Sequence, residues 1–365
     1  MKKIGIICEY NPFHNGHIYH IQKIKEMYPD SVIVAVMSGN FTQRGFLSIL
    51  TKDEKSNISL KYGIDLVVEL PFIFATQSAD IFADASISIL KELKVDYLIF
   101  GSESNNIDEL TKLAKIQLED KKYNEIVKNY LNDGINYPTA MSKALKDLGG
   151  KTITEPNDLL GISYIKAILK HKTNIIPKTI KRTNSFHSDT LDNNIVSATA
   201  IREALKNKKN IEQFVPKEVE NILSKDNKNY DYFKFLKYKI LSENKNINKY
   251  LTVDEGIENR ILKFINEVNS TEELIEKIKT KRYTYNKISR MLIHILCSLT
   301  KEEVVKNKEI KYINILAFNK NGQFLLNKIK KDTTVPLITN TKYYNNLLEI
   351  DKRIDNIYQI ITKQN

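Results

Sequence analysis

An α/β protein is what the sequence predicts: a doubly wound parallel sheet, followed by a smaller, mainly helical and basic domain. Three observations predict it. Short continuous apolar runs rich in β-branched residues recur through the first hundred positions, which is how buried parallel strands read. Helical patterns separate them, at about 30 residues per unit, the usual size of a right-handed βαβ unit. Past residue 215 the strand signals fade, and periodic apolar residues on a Lys/Glu/Asn background take over.

In chain order, the expected strands are 3–8, 31–37, 65–70 and 95–100, with helices over His17–Met27, Lys52–Tyr62 and Ala79–Leu93 between them. Residues 107–172 read as helical, including Asn157–Leu169, and 178–182 as a further strand. A polar loop follows over 183–194. Ser197 then stands as N-cap of a helix through Ala198-Thr199-Ala200-Ile201-Arg202-Glu203. Residues 311–318 read as one late strand or extended segment. The expected division is 1–210 for the sheet domain and 211–365 for the helical one.

Composition narrows the class. The 365 residues are 42% hydrophobic and 27% charged, as in ordinary globular proteins. No apolar run reaches the roughly 18–20 residues of a membrane span, and Glu9 comes too early for a secretory signal. Cys8 and Cys297 are the two cysteines. They exclude a disulfide framework and a Cys-based zinc module, and the expected location is a reducing cytoplasm. The net charge of +12 is lopsided: 24 Lys+Arg face 23 Asp+Glu in residues 1–200, against 32 and 21 in residues 201–365. A basic region behind a neutral one fits a polyanion such as nucleic acid.

The segment Glu9-Tyr10-Asn11-Pro12-Phe13-His14-Asn15-Gly16-His17 follows the first strand and opens a helix. In open α/β sheets ligands bind beyond the carboxyl ends of the strands, where a helix N-terminus offers free N–H groups to an anion. Pro12 stiffens the turn, and Gly16 allows close backbone approach. His14 and His17, three apart, share a face and can donate to a triphosphate as charge builds on it. A metal site on the His14/His17/His20 ladder is the weaker reading, because the rings rotate too far to converge.

His14-Asn15-Gly16-His17 resembles the His-x-Gly-His signature of the nucleotidyltransferase superfamily. Ser197-Ala198-Thr199-Ala200-Ile201-Arg202 resembles its second phosphate motif, Ser-x-Thr-x-Ile-Arg. Further stretches narrow the match: Ser38-Gly39-Asn40-Phe41-Thr42-Gln43-Arg44-Gly45, Gly63 to Pro71, Phe100-Gly101-Ser102-Glu103, Pro156 to Gly161, Ile180-Lys181-Arg182 and Lys281-Arg282-Tyr283-Thr284. Over nearly the whole chain the sequence is similar to the bacterial tRNA(Met) cytidine acetate ligase family. Phe186-His187-Ser188-Asp189 departs from the family's more compact Tyr-His-Asp.

The resemblance implies an enzyme that converts acetate and ATP to acetyl-adenylate and acetylates N4 of the wobble cytidine of elongator tRNA(Met), giving N4-acetylcytidine. It implies His14 and His17 as catalytic residues. It implies an ATP site from Ile7, Cys8, Glu9, Tyr10, Asn11, Pro12, Phe13, His14, Asn15, Gly16, His17, Ile18, Tyr19 and His20, with Gly101, Asn157 and Arg182. Ser197, Thr199, Arg202 and Arg44 are candidate phosphate contacts, and Mg²⁺ is expected to ride on the phosphates rather than in a protein cage. In the basic half Lys281, Arg282, Tyr283, Lys287 and Arg290 are candidates for tRNA, cations for phosphates and tyrosine for unpaired bases. The rival readings are a small-molecule adenylyltransferase of the nicotinate mononucleotide or pantetheine type, which has no need of the basic half, and a non-catalytic RNA-binding protein.

Overall fold

A computed structural model of the chain describes residues 1–182, 195–225, 230–339 and 345–363. The 183–194 loop, with Phe186-His187-Ser188-Asp189, lies outside the described residues. Seven strands form one sheet: β1 Lys3–Cys8, β2 Val32–Ser38, β3 Leu66–Leu70, β4 Tyr97–Ser102, β5 Ile176–Lys181, β6 Ile313–Phe318 and β7 Leu337–Ile338. Their order is β5-β4-β1-β2-β3-β6-β7. The first five strands pair in parallel. β2 runs Val-Ile-Val-Ala-Val-Met-Ser with every residue buried, as a central parallel strand requires. The chain steps outward through β2 and β3, then returns to place β4 on the other side of β1. That reversal leaves a crevice beyond the carboxyl ends of β1 and β4.

The sheet departs from the expected all-parallel form at one edge. β6 pairs antiparallel with β3, in the register Leu66↔Phe318 and Val67↔Ala317, and β7 pairs with β6. A short apolar run carries no record of its partner, so the direction was not readable. After β6 the chain turns tightly against β3: Asn319 donates to the Asp65 carbonyl at 3.0 Å and to its carboxylate at 2.9 Å. A Cβ on Gly322 would stand 2.1 Å from the Asp65 carbonyl oxygen, so glycine is required there. Because β6 and β7 complete the sheet begun by β1–β5, a division at residue 210 separates proposed roles, not separate sheets.

Alternation along the strands gives two apolar layers. Ile4, Ile6, Ile33, Ala35 and Met37 face the Asn15–Met27, Ala198–Lys206 and Lys217–Lys225 side. Val32, Val34, Val36, Leu66 and Val68 face the other way, onto a cluster that runs from the Ala79–Glu92 and Pro156–Lys170 helices through Leu236, Leu274, Ile288 and Leu292. The helical half thus shares its core with the sheet. The Asn346–Thr362 helix closes this layer. Its Asp351 accepts from the Phe72 N–H at 2.9 Å and from the Tyr312 hydroxyl. Its Asp355 accepts from Asn40 at 2.9 Å and pairs with Lys52, and the Tyr358 hydroxyl donates to the Ser48 carbonyl at 2.7 Å. Among the described residues no helix is long and apolar enough to cross a membrane.

Candidate active site

β1 ends at Cys8, and the chain passes through Glu9–Phe13 to His14, the N-cap of the Asn15–Met27 helix. The Asn11–Pro12 bond in this turn is cis. His14 Nδ1 accepts the Gly16 N–H at 3.0 Å, and His17 Nδ1 accepts the His14 N–H at 3.1 Å. The pair is a capping box built from two imidazoles. A backbone N–H can only donate, so both Nδ1 atoms are acceptors and each neutral ring carries its proton on Nε2. The ring centroids are 3.7 Å apart, which sets two Nε2–H donors side by side at a helix N-terminus. A Cβ on Gly16 would stand 2.9 Å from His14 Cε1 and 3.2 Å from Ile195, displacing the first ring. His20 adds a third imidazole, whose buried Nε2 has no hydrogen-bond partner.

Burial, reinforced by the Arg182 charge, takes the His14 pKa down to about 3 and that of His20 to about 4. His17 is depressed too, by burial first and then by His14, Arg182 and His20. The imidazoles are therefore uncharged donors at neutral pH, and the positive charge beside them belongs to the guanidinium groups. Around them, Pro12 and Phe13 are buried and Ile7, Cys8, Asn15 and Ile18 are half-buried. Tyr10 packs its ring 4.5 Å from that of His17. Burial pushes the Cys8 thiol up to about 12, which leaves it protonated and no nucleophile. Tyr19 lies along the helix surface beneath the Lys23 ammonium.

The second motif meets the first directly. Ser197 Oγ caps its helix by accepting the Ala200 N–H at 3.1 Å. Arg202 Nη1 donates to the Asn11 carbonyl at 2.6 Å, across 191 residues of sequence, and Nη2 to Thr199 Oγ1 at 3.1 Å. One Arg202 donor thus braces the first turn from within the protein, and another is held on its own helix. Asn15 strengthens the same joint through the carbonyls of Gln213 at 2.8 Å and Phe214 at 3.0 Å.

A third group gathers at the end of β4. The Arg182 stem crosses Gly101, where a Cβ would come 3.3 Å from Arg182 Cγ. Asn157 does not cap its helix; Glu155 holds that place. The Asn157 amide instead donates to Glu103. Glu103 had no assigned role in the sequence, although it stands in a stretch that carries the resemblance.

Lys55 was missed altogether, because a lysine on a polar helix reads as solvated. It is fully buried and donates to the carbonyls of Glu9 at 2.9 Å, Ser38 at 2.9 Å and Gly39 at 2.7 Å, tying the ends of β1 and β2 together. The Glu9 carboxylate accepts the Gln43 N–H, which holds the 42–46 turn beside the first motif. Arg44, in that turn, is close enough for its charge to act on Arg202. Gly45 seats the turn on the Tyr285–Leu296 helix, and the Ser289 hydroxyl donates to its carbonyl at 2.9 Å.

The basic-half candidates divide. Lys281 and Arg282 are exposed, the latter 3.3 Å from Glu255. Arg290 is half-buried, and burial lowers its pKa to about 10. Tyr283 is corrected: it is 4% exposed, its hydroxyl donates to the Asp254 carbonyl at 2.7 Å, and the Lys287 ammonium covers its ring at 3.7 Å. An aromatic face so enclosed cannot stack on a base.

The depressed His14 pKa gives a stability prediction. Unfolded histidine takes up its proton near 6.5 and native His14 only near 3, so between these values the unfolded state binds more protons and stability is lost as the pH is lowered. Asp351 and Asp355, raised by burial to about 7 and about 6, work in the opposite direction over part of that range. The comparison therefore belongs to His14→Asn, which keeps a capping side chain but cannot titrate. Relative to this variant, the parent is expected to lose about 1.4 kcal/mol per pH unit from pH 6 to 4 in urea unfolding. A difference independent of pH would show that His14 is not buried uncharged.

The family model described as HIGH Nucleotidyl Transferase matches residues 1–365. A protein named tRNA(Met) cytidine acetate ligase from Anoxybacillus flavithermus is 40% identical, covering 100% of this chain and 93% of the relative. One of the same name from Caldicellulosiruptor saccharolyticus is 38% identical, covering 100% and 95%. The crystal structure of Thermotoga maritima TmcAL bound with alpha-thio ATP superposes with a TM-score of 0.88 at 30% identity, covering 99% of this chain and 95% of that one.

Proposed function

The chain belongs to the HIGH nucleotidyl transferase family and to the tRNA(Met) cytidine acetate ligases, and we propose from that premise that it joins acetate to tRNA(Met) at the expense of ATP. An acetate oxygen attacks the α-phosphorus of ATP, and pyrophosphate leaves. N4 of the wobble cytidine then attacks the carbonyl carbon of acetyl-adenylate, a proton is lost from the nitrogen, and AMP leaves. A mixed anhydride is reactive enough for an amine whose lone pair is conjugated with its ring.

The observation that carries this reading is the pair of Nε2–H donors of His14 and His17, locked by backbone hydrogen bonds at a helix N-terminus. Such donors need no reorganisation as charge grows on the phosphoryl oxygens. The Arg182 charge already acts on all three imidazoles. Gly101 and Asn157 belong to the same nucleotide site. Among the described residues no group of three or more His, Cys, Asp or Glu side chains is arranged to hold a metal ion, so Mg²⁺ would be carried by phosphate oxygens, where it would offset their charge. Lys281, Arg282, Lys287 and Arg290 are proposed as phosphate contacts for tRNA.

Incubation of unmodified tRNA(Met) with ATP and isotopically labelled acetate tests the reading. Mass spectrometry is expected to find one labelled acetyl group on the wobble cytidine. A small-molecule adenylyltransferase would leave the tRNA unlabelled and release pyrophosphate only when its own phosphorylated acceptor was added. In the same system Arg290→Ala is expected to reduce the salt slope of tRNA binding by about one, as for one lost phosphate contact. An unchanged slope would remove Arg290 from the interface.

A further inference from the structure

Glu103 follows β4 directly and is 10% exposed. One carboxylate oxygen accepts from the Asn157 amide, and the other accepts the Asp158 N–H at 3.1 Å. Asp158 returns the tie, accepting from the Ser102 hydroxyl and from the Ser104 N–H at 3.0 Å. The 102–104 turn and the first turn of the Pro156–Lys170 helix are thus locked reciprocally. Arg182 Nε lies 3.8 Å from Glu103, within reach of its charge but beyond a hydrogen bond, and is buried without a partner. The backbone N–H of Arg182 is separately fixed to the Ser102 carbonyl at 3.0 Å.

This arrangement is unusual for an Arg–Glu pair, which commonly closes into a two-point contact. Both Glu103 oxygens are occupied elsewhere, so Glu103 offsets the guanidinium charge without consuming its donors. An arginine held in this way remains able to bind a planar or tetrahedral anion.

We propose that Glu103 is a positioning residue for the nucleotide, aligning the Asn157 amide and keeping the Arg182 guanidinium placed and uncommitted for a phosphate. The proposal rests on the reading that ATP lies against His14, His17 and Arg182. It says nothing about which acid is activated, so its test uses equilibrium binding of ATP itself. A wrong assignment of acetate leaves that measurement standing.

Glu103→Gln retains the shape, removes the charge and turns an NH₂ toward one of two donors. ATP affinity is expected to fall at least about tenfold, with tRNA affinity unchanged. In ATP–pyrophosphate exchange the loss is expected in KM, with kcat within about threefold of the parent. Combined with Arg182→Ala, Glu103→Gln is expected to add little, because residues that act as one unit are not additive. Glu103→Asp, which keeps the charge, is expected to recover most of the affinity, and carries the test if Glu103→Gln fails to fold. Unchanged ATP affinity in a folded Glu103→Gln, independent losses in the double variant, or equal loss of melting temperature in both single variants without loss of ATP binding would each overturn the proposal and leave Glu103 a helix brace. Failure of the parent to bind ATP, or protection of other residues by ATP, would instead overturn the underlying reading of the site.

Discussion

His17→Ala is expected to slow acetate-dependent pyrophosphate release by about 10²–10³, the usual cost of one preorganised donor to a developing oxyanion, while tRNA affinity is unchanged. The ring is fixed on every side. Its Nδ1 accepts the His14 N–H at 3.1 Å, one face lies 3.7 Å from the His14 ring, and Tyr10 packs at 4.5 Å. Alanine removes the Nε2–H donor and also leaves the N-cap N–H of His14 without its acceptor, at about 1 kcal/mol. The second cost falls on stability and the first on rate, so denaturation and single-turnover measurements separate them. His14→Ala is expected to act similarly, because it removes the other Nε2–H donor of the pair. Parallel loss of tRNA binding would indicate that the turn had collapsed and that the kinetic effect says nothing of chemistry.

Gly45→Ala is expected to be strongly destabilising. Gly45 has a φ of +80°. A Cβ there would stand 2.5 Å from the Arg290 nitrogen and 2.6 Å from the Ser289 carbonyl carbon, which are main-chain atoms of a packed helix and cannot swing aside. Left-handed backbone and overpacking together predict a loss of about 2–4 kcal/mol in chemical denaturation. The functional effect is expected to be unequal. The 42–46 turn joins the helix bearing Arg290 to the first motif through Gln43 and Glu9, so acetyl transfer to tRNA should fall at least about tenfold further than ATP–pyrophosphate exchange. Equal activities per folded molecule would show that this joint transmits nothing between the two halves.

Much of this site could be read from the residues because its signals are local. An apolar run, a Pro/Gly turn and a helical pattern within 20 positions place His14 and His17 at the end of a strand, and Ser197 announces its own helix. The four leading strands were legible for the same reason, since each has a buried, mainly apolar centre. What escaped was non-local. The antiparallel seating of Ile313–Phe318 depends on Asp65, far back in the chain. Lys55 earns its place through three carbonyls that no pattern near it reveals. Tyr283 sits in a basic stretch that suggests solvent, yet its neighbours fold over it. Glu103 lay in view, but its meaning required Asn157 and Arg182 to be brought to it.

The Asn346–Thr362 helix reaches back across the chain to Asn40, Ser48 and Phe72. During synthesis, both phosphate motifs leave the ribosome well before this helix does. Until it docks, the segment carrying Gln43 and Arg44 lacks its outer wall. A chain that has both motifs but not yet this helix therefore lacks the contacts that fix the 40–48 segment, so the order of synthesis leaves the surroundings of the first motif to be completed late.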